Sequence, residues 1–397
     1  MATTNPMVDA STHEERRTSS LLVMLPAASP TETETILARL TAALPNAELV
    51  IAAAGESASE PQPHVHFVDL PASKASWTLT AADFANAYGL AQKHEAQAIL
   101  MLGPLAGSLS ATGIVALAQS VLSSSDLAIP CYELPARAGL VNSSILYPLS
   151  RALFATRTRF PLAIDLGLSL RMAERLSLAA QRFVGLNQGD VPLWVVSEAM
   201  IAGMRIDEVD AGERALPQPA DPDLNAVLPF VTGSLFFDIE AKAAFWQRAR
   251  VSTPLRRTLP TVPSALTDSS AEVASMLQGF RLAYTNLREI WGMVLPPNTL
   301  LGLKRLSLID EAAFRMPENL WARIVFDFLI AYRLRTLNRG HLLGALIPLY
   351  LAWVASHINA IGSGQDPERH IETYATAFET EKPYLVARWR WPDRFNP

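Results

Sequence analysis

The sequence predicts an α/β protein in which a mostly parallel sheet lies between helices and an α-helical C-terminal domain follows. Short apolar runs alternate with helical stretches up to about residue 134, which is typical of parallel strands joined by crossover helices. After residue 270, four segments carry apolar residues at three- and four-residue spacing, which predicts helices. The chain has 397 residues and 50% of them are hydrophobic, so it can bury a sizeable core.

Five apolar runs are predicted to be buried strands because each is short and rich in Leu, Ile, Val and Ala. The helical stretch 31–44 lies between the first two runs and opens with acidic residues, which suit the positive end of a helix. Ligands of such sheets bind at the carboxyl ends of the strands. The predicted strands are residues 21–25, 47–54, 64–70, 96–103 and 126–134.

The C-terminal part is predicted to begin after a basic, proline-interrupted linker. We expect a polar, disordered leader without the apolar core of a secretory signal, and therefore a cytoplasmic protein. The predicted helices are residues 271–295, 318–337, 340–361 and 367–389. The predicted organisation is a leader at 1–20, an α/β domain at 21–247, a linker at 248–270 and a helical domain at 271–397.

One apolar stretch, residues 342–362, has the length of a membrane span and contains no Asp, Glu, Lys or Arg. It is interrupted by Pro348 and carries His357 and Asn359, so we predict a buried helix pair and no membrane span.

Charge and cysteine content exclude two further classes. The net charge of -5 supplies no broad basic field for phosphate contacts, so no nucleic-acid partner is expected. The single cysteine, Cys131, excludes an intramolecular disulfide framework and a cysteine-rich zinc site, and is interpreted as a small buried hydrophobe. His64 and His66 share one face of a predicted strand and could bind a metal, although surface histidines are the favoured interpretation.

Two acids stand among apolar residues and need partners. Asp165 lies in "FPLAIDLGLSL" and Glu198 in "VVSEAMIAG", and an isolated buried carboxylate costs several kcal/mol. Three nearby arginines suit a phosphate or a carboxylate, or they pair with these acids or with helix ends. They are Arg151, Arg157 and Arg159. The acidic stretch "RIDEVDAGER", residues 205–214, is interpreted as a solvated strand and turn with loose ion pairs.

Several stretches resemble a family of bacterial glycosyltransferases, the GT-A-fold enzymes of the glucosyl-3-phosphoglycerate synthase and mannosylglycerate synthase type. The stretches are "NSSILYPLSRALFATRTRFPLAIDLGLS", "LWVVSEAMIAGMRI", "GFRLAYTNLREIWGMVLPP" and "FETEKPYLVARW". The resemblance covers about residues 21–389. It implies a GT-A-like fold and retaining transfer of a sugar from a nucleotide-sugar to a small acceptor such as a phosphoglycerate or glycerate.

The resemblance also implies a Mg²⁺ or Mn²⁺ ion that bridges the diphosphate of the donor to an Asp-x-Asp motif and a histidine. That ion neutralises the charge of the leaving diphosphate. In this sequence the three ligand positions are Gly103, Leu105 and Leu216. None supplies a metal ligand through its side chain, so no metal or other cofactor is expected unless the family mechanism survives.

Other family positions are kept. The resemblance implies that Asp165 lies beside the transferred sugar and that Asn142 falls in the segment that binds the acceptor. Tyr147, Arg151 and Arg159 also match, either as substrate-binding residues or as scaffold.

Three hypotheses follow. The first is an active transferase that binds a nucleotide-sugar and a small acceptor, with a basic residue in place of the metal; the candidates are Lys74, Arg137, Arg157 and Arg214. The second is a non-catalytic relative that acts as a binding, regulatory or assembly partner, as a homodimer or with an active paralogue. The third is a membrane-associated enzyme held by residues 342–362.

Overall fold

The computed structural model describes residues 20–54, 63–70, 77–162, 164–217, 223–249 and 270–392. Seven strands of this part of the chain form one sheet, in the order β3-β2-β1-β4-β6-β5-β7. β6 is antiparallel to both of its neighbours and the other pairs are parallel. The strands are β1 (Ser20–Leu25), β2 (Glu48–Ala53), β3 (Val65–Asp69), β4 (Ala98–Leu102), β5 (Leu127–Glu133), β6 (Asp165–Ser169) and β7 (Ile206–Glu213).

The predicted fold class is confirmed: a mostly parallel sheet lies between helices, and a helical region follows it. Successive residues of β1 alternate between two buried clusters, because Leu21 and Val23 face one side of the sheet and Leu22 and Met24 the other. Both faces are therefore apolar, as expected for a sheet covered on both sides. The covering helices are α1 (Pro30–Ala43) and α3 (Ala111–Ser123) on one face, and α2 (Ala81–Lys93) and α5 (Leu170–Val184) on the other.

All five predicted strands are present, and the acidic stretch after residue 205 forms β7. The strand β6 was not predicted, because it is five residues long and begins with a charged residue. It pairs with β4 so that Asp165 lies opposite Leu102, at the carboxyl end of β4. The position of Asp165 in the sheet is therefore decided by pairing between distant segments.

The helices between β5 and the C-terminal region connect the two parts. A π-helical turn (Asn142–Leu146) leads directly into α4 (Tyr147–Phe154). Such turns interrupt the regular helical hydrogen bonding and are frequent at functional sites. After β6 and α5 the chain forms α6 (Val195–Ala202), and after β7 it forms α7 (Leu224–Ala241) and α8 (Ala243–Trp246).

The C-terminal region differs in two respects from the four predicted helices. The first predicted segment is two helices that meet at Leu287, and an additional helix follows it. The predicted helix pair at residues 342–362 is wrong, because a single helix continues through Pro348. The helices are α9 (Ser270–Asn286), α10 (Arg288–Val294), α11 (Pro297–Leu306), α12 (Glu318–Leu334), α13 (Arg339–Gly362) and α14 (Pro367–Arg390).

Helix α13 is the centre of the largest apolar cluster. It packs against α7, α9, α12 and α14, and Trp353 and Leu349 have no exposed surface. Burial on several sides stabilises the helix by more than the hydrogen bond that Pro348 removes. The same cluster includes Leu149 of α4 and Phe236 of α7, so the C-terminal helices share a core with the α/β part.

Two helices in the described part of the chain are long and apolar enough to cross a membrane. They are α7, of whose apolar window 39% is buried, and α13, of whose window 78% is buried. The high burial of α13 is typical of a core helix. Residues 1–19 of the predicted leader (1–20) and residues 250–269 of the predicted linker (248–270) lie outside the described residues. Ser20 begins β1 and Ser270 begins α9, so the two predicted segments do not include these residues.

Candidate active site

Asp165 is fully buried and all of its bonding partners come from other segments. Its Oδ1 accepts hydrogen bonds from the Gly103 backbone N–H at 3.1 Å and from Arg214 Nη2 at 3.2 Å. Its Oδ2 accepts from the Tyr132 hydroxyl at 2.7 Å and from Arg214 Nε at 2.9 Å. Both side chains of the Asp165–Arg214 pair have 0% exposure. The partner of Asp165 is therefore Arg214, and neither Arg151 nor Arg159.

The guanidinium of Arg214 is held on every side. Besides Asp165, Nη2 donates to the Pro104 carbonyl at 2.8 Å. Nη1 donates to the Leu105 carbonyl, to Ser108 Oγ at 2.8 Å and to the Ala215 carbonyl at 3.0 Å. Burial alone would lower the pKa of Arg214, but the carboxylate of Asp165 outweighs it and raises the pKa above its ordinary value. The side chain is thus a fixed cation inside the fold.

A bulge at the end of β7 places Arg214 in this position. The register between β5 and β7 shifts after Cys131, so that Tyr132 lies opposite Gly212 and Ala211 is the extra residue. Gly212 has a φ of +66°, a conformation that favours glycine. The Ser110 hydroxyl donates to the Ala211 carbonyl at 2.8 Å and fixes the bulge. The stretch predicted to be a solvated turn therefore ends in a buried arginine.

Gly103 and Leu105 both contact the Asp165–Arg214 pair, Gly103 through its backbone N–H and Leu105 through its carbonyl. A Cβ atom on Gly103 would lie 2.4 Å from the Ile164 carbonyl oxygen, so the close approach of β4 and β6 requires glycine there. Leu105 has a φ of +59° and presents its carbonyl to Arg214, with its side chain 46% exposed. Ala163, which precedes Ile164, lies outside the described residues.

The residues at these positions do not fit a divalent cation. Mg²⁺ and Mn²⁺ take oxygen ligands, and the side chains of Gly103, Leu105 and Leu216 offer none. The oxygen atoms that are present, those of Asp165 and the carbonyls of Pro104 and Leu105, already accept from Arg214. In the part of the chain that the structure describes, no three His, Cys, Asp or Glu side chains form a group that could hold a metal.

The other matching residues are tied to helix α14. Arg151 pairs with Glu372 and, at 2.9 Å, with Glu379, and the Tyr147 hydroxyl also donates to Glu372. Arg159 pairs with Glu368 at 2.9 Å and lies over the Tyr147 ring. Burial and the neighbouring carboxylate of Glu372 raise the pKa of Tyr147. These contacts join the C-terminal helix to α4, and their role in substrate binding stays a prediction.

The remaining candidates have ordinary surroundings. Glu198 forms ion pairs with Lys242 at 2.8 Å and with Arg175 at 2.8 Å, and these two cations are the partners that its surroundings require. Burial would raise the pKa of Glu198, but Lys242 and Arg175 lower it below its ordinary value. His64 and His66 are exposed at the start of β3, and Cys131 is buried as predicted.

An apolar cavity of about 380 Å³ adjoins the Asp165 site. Tyr132, whose hydroxyl bonds to Asp165, and Ile164, which precedes it, form part of its wall together with Leu216 and Asn142. The Asn142 Nδ2 donates to the Arg159 carbonyl at 3.0 Å. Asn142 and Leu216 thus line a cavity together with Tyr132 and Ile164, and Gly103 and Leu105 contact the Asp165–Arg214 pair directly. Neither the cavity nor the hydrogen bond from Tyr132 to Asp165 was predicted, because both depend on segments that are far apart in sequence.

A buried histidine pair supports the loop at the edge of this cavity. His357 Nδ1 and His370 Nδ1 lie 2.9 Å apart, and His357 Nε2 lies 3.2 Å from the Ala136 carbonyl. A carbonyl only accepts, so His357 carries its proton on Nε2, and His370 must donate from Nδ1 to the bare Nδ1 of His357. Burial lowers the pKa of both rings, so both are neutral at pH 7 and are joined by this hydrogen bond.

Acid should destabilise the fold through this pair. Burial lowers the pKa of His357 to about 4, and burial together with His357 lowers the pKa of His370 to about 3. Because unfolded histidine titrates near 6.5, the unfolded chain binds protons first. The stabilisation is present above about pH 6.5 and is lost as the pH falls to about 4, by on the order of 3 kcal/mol for His357. Chemical unfolding between pH 7 and 4 measures this slope.

The matched variants isolate the contribution of the pair. We expect His357→Gln to flatten the dependence of unfolding free energy on pH, because an amide can replace both hydrogen bonds without titrating. The exposed His341 is the control, and His341→Gln should keep the wild-type slope. Equal slopes for all three proteins would contradict the assignment.

Comparison with known proteins gives distant structural matches. No family model matches the chain, and no curated protein matches it in sequence. The chain is similar to the glucosyl-3-phosphoglycerate synthase of Mycobacterium tuberculosis in complex with Mn²⁺, uridine diphosphate and glucosyl-3-phosphoglycerate. The identity is 12%, the match covers 63% of this chain and 89% of that chain, and the TM-score is 0.36.

Two further matches are of the same kind. The synthase in complex with Mg²⁺ and uridine diphosphate matches at 12% identity over 63% of this chain and 89% of that chain, with a TM-score of 0.38. A structure described as a mycobacterial protein matches at 11% identity over 62% of this chain and 81% of that chain, with a TM-score of 0.36. At these values the likeness identifies neither the activity nor the ligands of this chain.

Proposed function

We propose that this chain is a glycosyltransferase-like protein without sugar-transfer activity, which acts as a binding, regulatory or assembly partner. The observation that supports this proposal is the buried pair of Arg214 with Asp165, the residue that the resemblance implies to lie beside the transferred sugar. A carboxylate whose two oxygens accept four hydrogen bonds has little capacity left for a substrate.

The transferase hypothesis requires a cation that can reach a leaving diphosphate. A guanidinium has five N–H donors, and those of Arg214 are directed at Asp165, three backbone carbonyls and Ser108. Arg214 can bind a diphosphate only by giving up bonds that close the fold. Arg137 is partly exposed and paired with Glu272, and Lys74 lies outside the described residues. Arg157 has a buried Nε without a hydrogen-bond partner within the described part of the chain and stays a candidate.

The proposed partner is another protein, either a second copy of this chain or an active paralogue. The shared core of the α/β part and the C-terminal helices supports a role as a folded scaffold, because it makes the two parts mutually dependent. The proposal assigns no reaction step to the Asp165 site.

Titration calorimetry with UDP-glucose and GDP-mannose, each with and without Mn²⁺, tests this proposal. We expect no metal-dependent binding, because the side chains of Gly103, Leu105 and Leu216 offer no ligand and the carboxylate of Asp165 is already paired with Arg214. A glucosyl-3-phosphoglycerate synthase measured in the same buffer is the positive control. Saturable binding of either nucleotide-sugar that requires Mn²⁺, or hydrolysis of the donor, would overturn the proposal.

A further inference from the structure

The cavity beside Asp165 has the size and lining of a small-molecule site. Its volume of about 380 Å³ falls in the range of ligand pockets, which are mostly apolar with a few polar groups. Its wall is built from segments that are far apart in sequence, and the apolar members include Trp77, Leu162, Leu216 and Val227. Apolar walls of this kind favour a ligand that leaves water for a hydrocarbon surface.

Charge at the cavity is sparse. Arg137 is the one Asp, Glu, Lys or Arg among the described residues that line it, and its guanidinium is neutralised by Glu272. None of these lining residues is acidic, so a cationic ligand would find no carboxylate with which to form an ion pair. A phosphorylated ligand would need several donors to replace its hydration, and the wall does not provide them. The lining therefore favours a neutral molecule.

Two polar groups at the wall have hydrogen-bonding capacity to spare. Tyr350 lines the cavity, and no hydrogen bond from another described residue contributes to the pKa of its hydroxyl. Burial raises the pKa of Tyr350, so the hydroxyl stays protonated. The side-chain amide of Asn142 donates a hydrogen bond to the Arg159 carbonyl. Its Oδ1 is buried and has no hydrogen-bond partner within the described part of the chain. Such groups stabilise a ligand that satisfies them.

We infer that this cavity binds a small, neutral, mostly apolar molecule that carries one N–H or O–H group directed at Tyr350 and Asn142. The inference deepens the proposed function, on which it rests, by naming the class of ligand that a non-catalytic member of this type binds. It assigns recognition to apolar contact with Trp77 and Val227 and orientation to the Tyr350 hydroxyl.

A matched pair of probes tests the inference. Indole and benzofuran have nearly the same shape, but only indole carries an N–H. We expect ligand-observed NMR titration to show saturable binding of both, with indole bound about fivefold more tightly because of one additional hydrogen bond. Tyr350→Phe should reduce the affinity for indole more than that for benzofuran, and any preference for indole that remains is due to Asn142 Oδ1.

A blocking variant locates the site. Val227→Trp places a large side chain into the cavity and should abolish binding of both probes. Ala226→Trp puts the same side chain on the neighbouring exposed position of α7, which does not line the cavity, and should bind as the wild type does. Thermal unfolding of each variant verifies that it is folded.

The outcomes separate this inference from the proposed function. No saturable binding of either probe, or binding that survives Val227→Trp, overturns the inference and leaves the proposed function as it was. Equal affinities for indole and benzofuran in the wild type overturn the orienting role of Tyr350. Metal-dependent binding of a nucleotide-sugar overturns the proposed function, whatever the probes do.

Discussion

Replacement of Arg214 by methionine should lower the free energy of unfolding by about 3 to 5 kcal/mol, because it leaves the buried Asp165 without its cation. The methionine fills part of the same volume, so the loss is mainly electrostatic and reflects the unpaired carbonyls of Pro104 and Leu105. Chemical denaturation followed by circular dichroism measures the change. The expected loss of stability is large because the side chains of Arg214 and Asp165 both have 0% exposure.

A second substitution tests whether the loss comes from the pair. Asp165→Asn should destabilise the protein by a similar amount, since it leaves the guanidinium buried and uncompensated. The double variant should lose less than the sum of the two single losses, because neither charge is then left alone. Arg281 pairs with Glu311, the two side chains are 35% and 45% exposed, and this pair serves as control; Arg281→Met should change stability little. If Arg214→Met had the same free energy of unfolding as the wild type, the guanidinium would not be needed for folding and would be free to bind a ligand.

Substitution of Gly103 should destabilise the fold strongly and should not create a metal site. In Gly103→Ala the new Cβ would lie 2.4 Å from the Ile164 carbonyl oxygen, which forces β4 and β6 apart. Overpacking of this kind costs about 1 to 3 kcal/mol. Gly103→Asp should cost more, because it adds a carboxylate to the same collision. Chemical denaturation measures the loss, and calorimetric titration with Mn²⁺ tests for binding.

The control for Gly103 is a glycine with free space around it. At Gly279 in α9, no heavy atom lies within 4 Å of the position that a Cβ would take. Gly279→Ala should therefore stabilise the protein by about 0.5 to 1 kcal/mol. If Gly103→Asp folds as stably as the wild type and binds Mn²⁺, the site still accepts its metal, and the interpretation of Gly103 as a structural glycine is wrong.

The first five strands could be predicted from sequence because most of them are continuous apolar runs, while their order in the sheet was not predicted. Burial on both faces removes the alternation of polar and apolar residues, and the helices between the strands have their own spacing. The strand β6 could not be found in this way, since Asp165 and Gly167 interrupt its short apolar pattern. Only pairing with β4 and β5 makes it a strand.

For the candidate site, the sequence determined which side chains are present and the tertiary structure decided how they pair. It could be read from the sequence that Asp165 needs a partner and that Gly103, Leu105 and Leu216 supply no metal ligand. The choice of Arg214 over Arg151 or Arg159 depends on a bulge in β7 that directs the arginine inward. The pairing of Asp165 with Arg214 is set by the backbone register between strands that are far apart in the chain, and local sequence patterns do not determine that register.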